Sequence, residues 1–264
     1  MINLNQEDIQ SYLTTSILGR IIICLDMIDS TNSEARRRAT EAAEGTIILS
    51  EEQTAGRGRQ GRQWISPRGK GIWLSLILKP EIKAHKVPQI TQIAAAALYL
   101  VLEQKGISKV EIKWPNDILV NGRKLSGILT EMQSRGSIVD HVVLGIGLNV
   151  NMDHQDFPEE LQYQATSLLL ETGQVWERSQ LIADIINAFE PLYNQYVRYG
   201  DLSPILDICR ERSALIGRHI LIHEKGLERQ AEVLDLGPEG ELVVRMADGE
   251  KRSIVSGEVS VRQG

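Results

Sequence analysis

The chain has 264 residues, 42% of them hydrophobic and 24% charged, with a formal net charge of −6, which suits a globular protein with one large core and a smaller appendage. An acidic balance argues against non-specific nucleic-acid binding, which draws its affinity from phosphate neutralisation, and the longest apolar run, Ile93 to Leu102, is too short to span a bilayer. With no signal-like run near the start and two isolated cysteines, Cys24 and Cys209, the expectation is a cytoplasmic protein, away from membranes, with buried reduced thiols.

In chain order, Ile21 to Leu25 predicts a short strand, and Thr31-Asn32-Ser33-Glu34 has the spacing of a capping box opening a helix to about Ala43. Thr46 to Ser50 and Ile72 to Leu78 predict strands on either side of a Gly/Arg loop. Val87 to Gln104 repeats apolar residues at helical spacing, with Gly106 placed to end the helix. Val110, Ile112 and Trp114 alternate with Glu111 and Lys113, a strand with unlike faces that stops at Pro115. Ile118 to Val120 and Lys124 to Glu131 flank Asn121-Gly122, the signal of a type I′ hairpin, and Val139 to Asn149 is another apolar strand. Ser179 to Tyr199 predicts an amphipathic helix bent at Pro191, and Ser203-Pro204 an N-cap and first-turn proline for a helix to about Ser213. After Gly217 five short alternating runs, the last Val259 to Arg262, predict a small all-β barrel.

The loop carries the strongest chemical signal. Between Gly56 and Gly71 lie five glycines and five cations (Arg57, Arg59, Arg62, Arg68, Lys70) without one acidic residue. Glycine lets backbone approach a ligand, and arginine forks match phosphate or carboxylate oxygens, so the segment is expected to meet an anion. Gly56-x-Gly58-x-x-Gly61 formally fits a dinucleotide fingerprint, but a strand rather than a helix follows it, which excludes a Rossmann site. The chain also lacks the P-loop sequence and the His-Arg-Asp and Asp-Phe-Gly motifs of protein kinases.

A second constellation, Lys113-Trp114-Pro115-Asn116-Asp117 followed by Gly122 to Glu131, resembles the central signature of biotin protein ligases. So do Gly56 to Trp64, Asp29-Ser30-Thr31-Asn32, Gly145-Ile146-Gly147-Leu148-Asn149 and Gly257 to Arg262, in the family's order and over nearly the whole chain. The resemblance implies an α+β fold: a mixed, largely antiparallel sheet flanked by helices, like class II aminoacyl-tRNA synthetases and the biotin and lipoate ligase catalytic domain, followed by an SH3-like β-barrel. The expected division is residues 1–214 for catalysis and 215–264 for the barrel. It implies an ATP-dependent reaction, with Mg²⁺, that forms biotinyl-5′-AMP and passes biotin to a lysine of a biotin carboxyl carrier domain.

By resemblance Lys113 and Arg59 are catalytic. Ser30, Thr31, Asn32, Gln53, Arg57, Gly58, Arg59 and Lys113 are expected at biotin. Arg59, Arg62, Trp64, Asn116, Lys124 and Asn149 are expected at the nucleotide. No metal ligands are assigned. Two anions must meet in the first step, which requires preorganised positive charge. The product anhydride must then be kept from water, so the Gly/Arg loop is expected to be mobile when empty and to order over the ligand. Gly145 and Gly147 are expected where a ligand or another backbone comes close, and Glu258 and Arg262 are expected to bring the barrel to the site. Only about twenty residues precede the first predicted strand, too few for the DNA-binding domain of family members that act as repressors, so a monofunctional enzyme without a DNA role is expected. A free sheet edge could dock the carrier or form a homodimer. The rival readings are a lipoate protein ligase and a non-catalytic biotin sensor.

Overall fold

The computed structural model describes residues 3–224 and 227–261, without the side chains of Glu224 and Glu258. In chain order the elements are α1 (Gln6–Tyr12), β1 (Ile22–Ile28), α2 (Thr31–Arg38), β2 (Ile47–Gln53), β3 (Gly71–Leu78), α3 (Pro88–Gln104), β4 (Val110–Lys113), β5 (Asp117–Val120), β6 (Arg123–Arg135), β7 (Ile138–Asn149), α4 (Leu168–Thr172), α5 (Arg178–Tyr199), α6 (Ser203–Glu211), β8 (His219–Glu224), β9 (Leu227–Leu236), β10 (Leu242–Met246), β11 (Lys251–Ile254) and β12 (Glu258–Val261). The first seven strands form one sheet in the order β1-β2-β3-β7-β6-β5-β4. Only β1 and β2 run parallel; the other neighbours are antiparallel.

Alternation along the central strands sorts side chains between two faces. Ile47, Leu49, Leu74, Leu76, Val142 and Leu144 join the large core under α3 and α5. Their neighbours Ile48, Ile77 and Val143 pack with Ala35 and Ala39 of α2 on the other face. That second face runs on through Ser75 opposite Gly145, then Trp73 opposite Gly147, so the apolar covering stops where α2 begins. The uncovered half of the sheet is the floor of the cleft described below.

Local expectations mostly hold, with informative departures. Asn121 and Gly122 both take positive φ, 51° and 75°, as the predicted turn requires. The capping box does not form: Ser30 stands at the N-cap without a side-chain cap bond, and Glu34 pairs with Arg37 and Arg38 instead. The helix also ends at Arg38, not near Ala43, because Gly45 hydrogen-bonds to Gly19 and Ile77 and pulls the connection out of helical geometry. Ser203 is the first helical residue after an N-cap at Leu202, and α5 continues through Pro191. Helix α1 was not foreseen; it buries Ile9 alone, too little for a periodic signal, although Asn5 caps it through the Asp8 N–H.

The last five strands form an antiparallel sheet in the order β11-β10-β9-β8-β12, with no ladder joining its two ends among the described residues. Its β9–β10 turn docks on α3 and the β4–β5 turn: the Gly240 carbonyl accepts from Trp114 Nε1 at 3.0 Å and from Gln92 Nε2 at 2.5 Å. Both cysteines are free, and burial pushes their thiols up to about 11 for Cys24 and about 12 for Cys209. No described helix is long and apolar enough to cross a membrane.

Candidate active site

One cleft of about 1390 Å³ opens on the uncovered sheet face, and every residue assigned from sequence to biotin or the nucleotide lines it: Ser30, Thr31, Asn32, Gln53, Arg57, Gly58, Arg59, Arg62, Trp64, Lys113, Asn116, Lys124 and Asn149. They come from the N-terminus of α2, the end of β2, the Gly/Arg loop, the β4–β5 turn, β6 and the end of β7. Contiguity in space replaces a spread along the chain from Ser30 to Asn149.

At one end, the α2 N-terminus is held by side chains rather than by its own cap. The Thr31 N–H and hydroxyl donate to Gln53 Oε1 at 2.8 and 3.1 Å, and Gln53 Nε2 donates to Ser66 Oγ at 2.7 Å. Ser75, fully buried in β3, donates its hydroxyl proton to Asn32 Oδ1 at 2.6 Å, and its Oγ lies 2.8 Å from Thr31 Oγ1. Ser75 was missed from sequence, although it is the lone hydroxyl in an otherwise apolar strand. Asp29 receives a two-point contact from Arg37 at 2.8 and 3.0 Å, which with the Ser30 N–H holds its carboxyl down at about 2.

Gly145 and Gly147, both on the cleft, let side chains of α2 and the loop come close. A Cβ on Gly145 would stand 2.0 Å from Asn32 Oδ1, and one on Gly147 would stand 2.6 Å from Trp64 Nε1. Trp64 also fills the space beside Gly127, with Lys124 Nζ 5.3 Å from its ring centroid. Its Nε1 is buried without a partner among the described residues, a donor turned toward the cleft wall.

The Gly/Arg loop is a folded hairpin: Arg57 bridges Gln63, the Gly58 N–H donates to Arg62 O at 2.7 Å, and Gln60 and Gly61 turn with positive φ. Its five cations are not equivalent, which residue type alone could not show. Arg57 pairs with Glu131 at 3.1 Å, Arg68 with Asp26 and Lys70 with Asp156 at 3.0 Å, so three anchor the loop to carboxylates far away in sequence. Arg59 instead donates to neutral acceptors, Asn116 Oδ1 at 3.0 Å and Gly257 O at 3.2 Å. Burial, more than the neighbouring Arg62, pushes its guanidinium down from the ordinary value against the pull of Asp117, so Arg59 is a partly desolvated cation.

Lys113 ends β4 with Asp117 opposite it across the ladder, but Asp117 pairs with Lys124 at 2.8 Å. Among the described residues no hydrogen bond or ion pair reaches the half-buried Lys113 ammonium. Asn149 is committed differently: its Nδ2 donates to Thr166 O at 2.9 Å, so its amide shapes the wall. Asn116 likewise donates to Ile128 O at 2.9 Å while its Oδ1 receives Arg59. The 157–165 segment, missed from sequence, closes the far rim through Phe157, Leu161, Tyr163, Gln164 and Ala165. The Gly257 carbonyl brings the second sheet to Arg59; Arg262 lies outside the described residues, as does the Glu258 side chain.

Comparison with known proteins agrees with this arrangement. Residues 24–149 match the model of the biotin/lipoate A/B protein ligase family. The chain is 39% identical over 250 residues to a bifunctional ligase/repressor BirA of Bacillus spizizenii, covering 94% of this chain and 77% of that protein. It is 32% identical over 232 residues to a biotin--[acetyl-CoA-carboxylase] ligase of Paracoccus denitrificans, covering 83% and 96%. A solved biotin protein ligase of Aquifex aeolicus, in complex with biotin and ATP, superposes with a TM-score of 0.78 at 26% identity, covering 93% of this chain and all of that one.

Proposed function

The chain belongs to the biotin/lipoate A/B protein ligase family, and we propose that its cleft joins biotin to ATP as biotinyl-5′-AMP and then to a lysine of a biotin carboxyl carrier domain. The observation that carries this is the pair of cations without carboxylate partners among the described residues, Lys113 and Arg59, on a cleft whose other cations include three tied in ion pairs, at Arg57, Lys124 and Arg218. In the first step a biotin carboxylate oxygen bonds to the α-phosphorus and pyrophosphate leaves. Lys113 and Arg59 offset the repulsion between the two anions and the charge that builds on the phosphate oxygens. In the second step the carrier amine bonds to the anhydride carbonyl carbon and AMP leaves, so ATP cleavage has made a poor electrophile reactive.

Ser30, Thr31, Asn32 and Gln53 supply convergent polar groups for the ureido end of biotin, with the apolar wall around them. Arg62, Trp64, Asn116, Lys124 and Asn149 are assigned to the nucleotide side. Mg²⁺ would supply charge neutralisation at the phosphates. It keeps most of its waters and takes one or two carboxylates, and Asp117, in the cleft beside Lys113, fits that mode, whereas no described group of three His, Cys, Asp or Glu could hold a metal alone. Residues 1–214 then form the catalytic unit and 215–264 an appended one. The outer edge of β1, unpaired among the described residues, is the place for the carrier or a second copy.

Purified protein with Mg²⁺, ATP and biotin should yield an activated ester that hydroxylamine traps as the hydroxamate. No hydroxamate, or one formed from lipoate and not biotin, overturns the reading. Gly145→Ala provides a geometric check, since its methyl must displace the Asn32 amide. Losing one well-placed hydrogen bond to biotin should raise its Kd about tenfold, measurable by calorimetry, with ATP binding unchanged.

A further inference from the structure

Glu131, on the outer part of β6, is not among the residues lining the cleft, yet it grips two that are. Its two carboxylate oxygens face the Arg57 guanidinium as a fork, Oε1 to Nη2 at 3.1 Å and Oε2 to Nη1 at 3.2 Å. Oε2 also accepts from Asn32 Nδ2 at 2.9 Å, and Oε1 lies 3.5 Å from Arg36 Nη1. Because Ser75 donates to Asn32 Oδ1, Glu131 and Ser75 together fix which way the Asn32 amide points. One carboxylate thereby joins the ring end of the cleft, on α2, to the hairpin that covers it.

Resting on the ligase reading above, we propose that Glu131 is a positioning residue that seats the loop over biotin through Arg57 and orients Asn32. Arg57 then serves as the anchor of the hairpin: its charge is matched by Glu131, and Lys113 and Arg59 are left to meet the anions. A two-point charged contact sets both distance and plane, which a single hydrogen bond does not. Without it the hairpin loses its ion pair to β6, and biotin binding must supply the free energy of ordering that end of it. The effect therefore falls on biotin binding more than on the chemical step.

The test is steady-state pyrophosphate exchange with Glu131→Gln, Arg57→Ala and the double variant, alongside thermal unfolding. The neutral amide introduced by Glu131→Gln can still accept from Asn32 but lacks the charge that holds Arg57. Each single variant should raise KM for biotin about tenfold, and Glu131→Gln should do so with kcat within about twofold and an unchanged melting midpoint. The double variant should show no further rise, because both changes remove one contact. If Glu131→Gln leaves KM unmoved, or if its effect persists in full in the Arg57→Ala background, the proposal is wrong. Arg57 lies on an exposed loop, so that variant tests the same contact even if Glu131→Gln unfolds. Failure of the ligase reading would appear separately, as no exchange by the unsubstituted protein.

Discussion

Lys113→Ala is expected to lower kcat for adenylate formation by about 10² to 10³, the range found when one preorganised charge or donor at a developing oxyanion is lost. The ammonium stands at the end of β4 on the cleft and holds no structural pair among the described residues. Its removal therefore leaves no orphaned partner, and the melting midpoint should not move. Biotin and ATP should each still bind, since the cation matters most when two anions are brought together. Single-turnover formation of hydroxamate-trappable ester, with thermal unfolding as the control, measures both expectations. Unchanged kcat would remove Lys113 from the mechanism; a large loss of stability would make it a structural lysine.

Arg178→Met should destabilise the fold by about 3 to 5 kcal/mol, the cost of leaving one member of a buried pair unpaired, and lower the melting midpoint by roughly 10 °C. Arg178 and Glu51 are each 5% exposed at the side chain and meet at 2.8 and 3.2 Å. Arg178 also donates to Gly71 O at 3.3 Å, and Glu51 accepts from the Leu4 N–H. The pair thus fastens the N-terminal segment, β2, the start of β3 and the start of α5 at one point behind the cleft. Methionine matches the volume but leaves the Glu51 carboxylate buried alone. Adding Glu51→Leu should recover part of the loss, because no charge is then stranded. Denaturant titration of the single and double variants measures the difference; a double variant less stable than Arg178→Met would refute the account.

Much of the site was readable before any fold was known. The Arg57–Trp64 stretch stood out by residue type, Lys113 and Ser30-Thr31-Asn32 by resemblance to biotin protein ligases, and all reach one cleft. The strands were readable too, since period-two alternation is local, and so was the Asn121-Gly122 turn. What stayed hidden was pairing at a distance. Nothing near Arg57 in sequence indicates Glu131, 74 residues away, or shows Lys70 committed to Asp156. The side chains that come close at Gly145 and Gly147 were likewise hidden, because they belong to α2 and the loop.

From its sequence alone most of the protein's strands, its long helices and an anion-meeting loop could be derived, because backbone preference is written residue by residue, and the resemblance of its motifs supplied the chemistry. The tertiary structure alone decided which cations keep free charge, where the α2 helix stops and what orients Asn32. Charge compensation and close packing depend on through-space distance, and chain separation carries no measure of it.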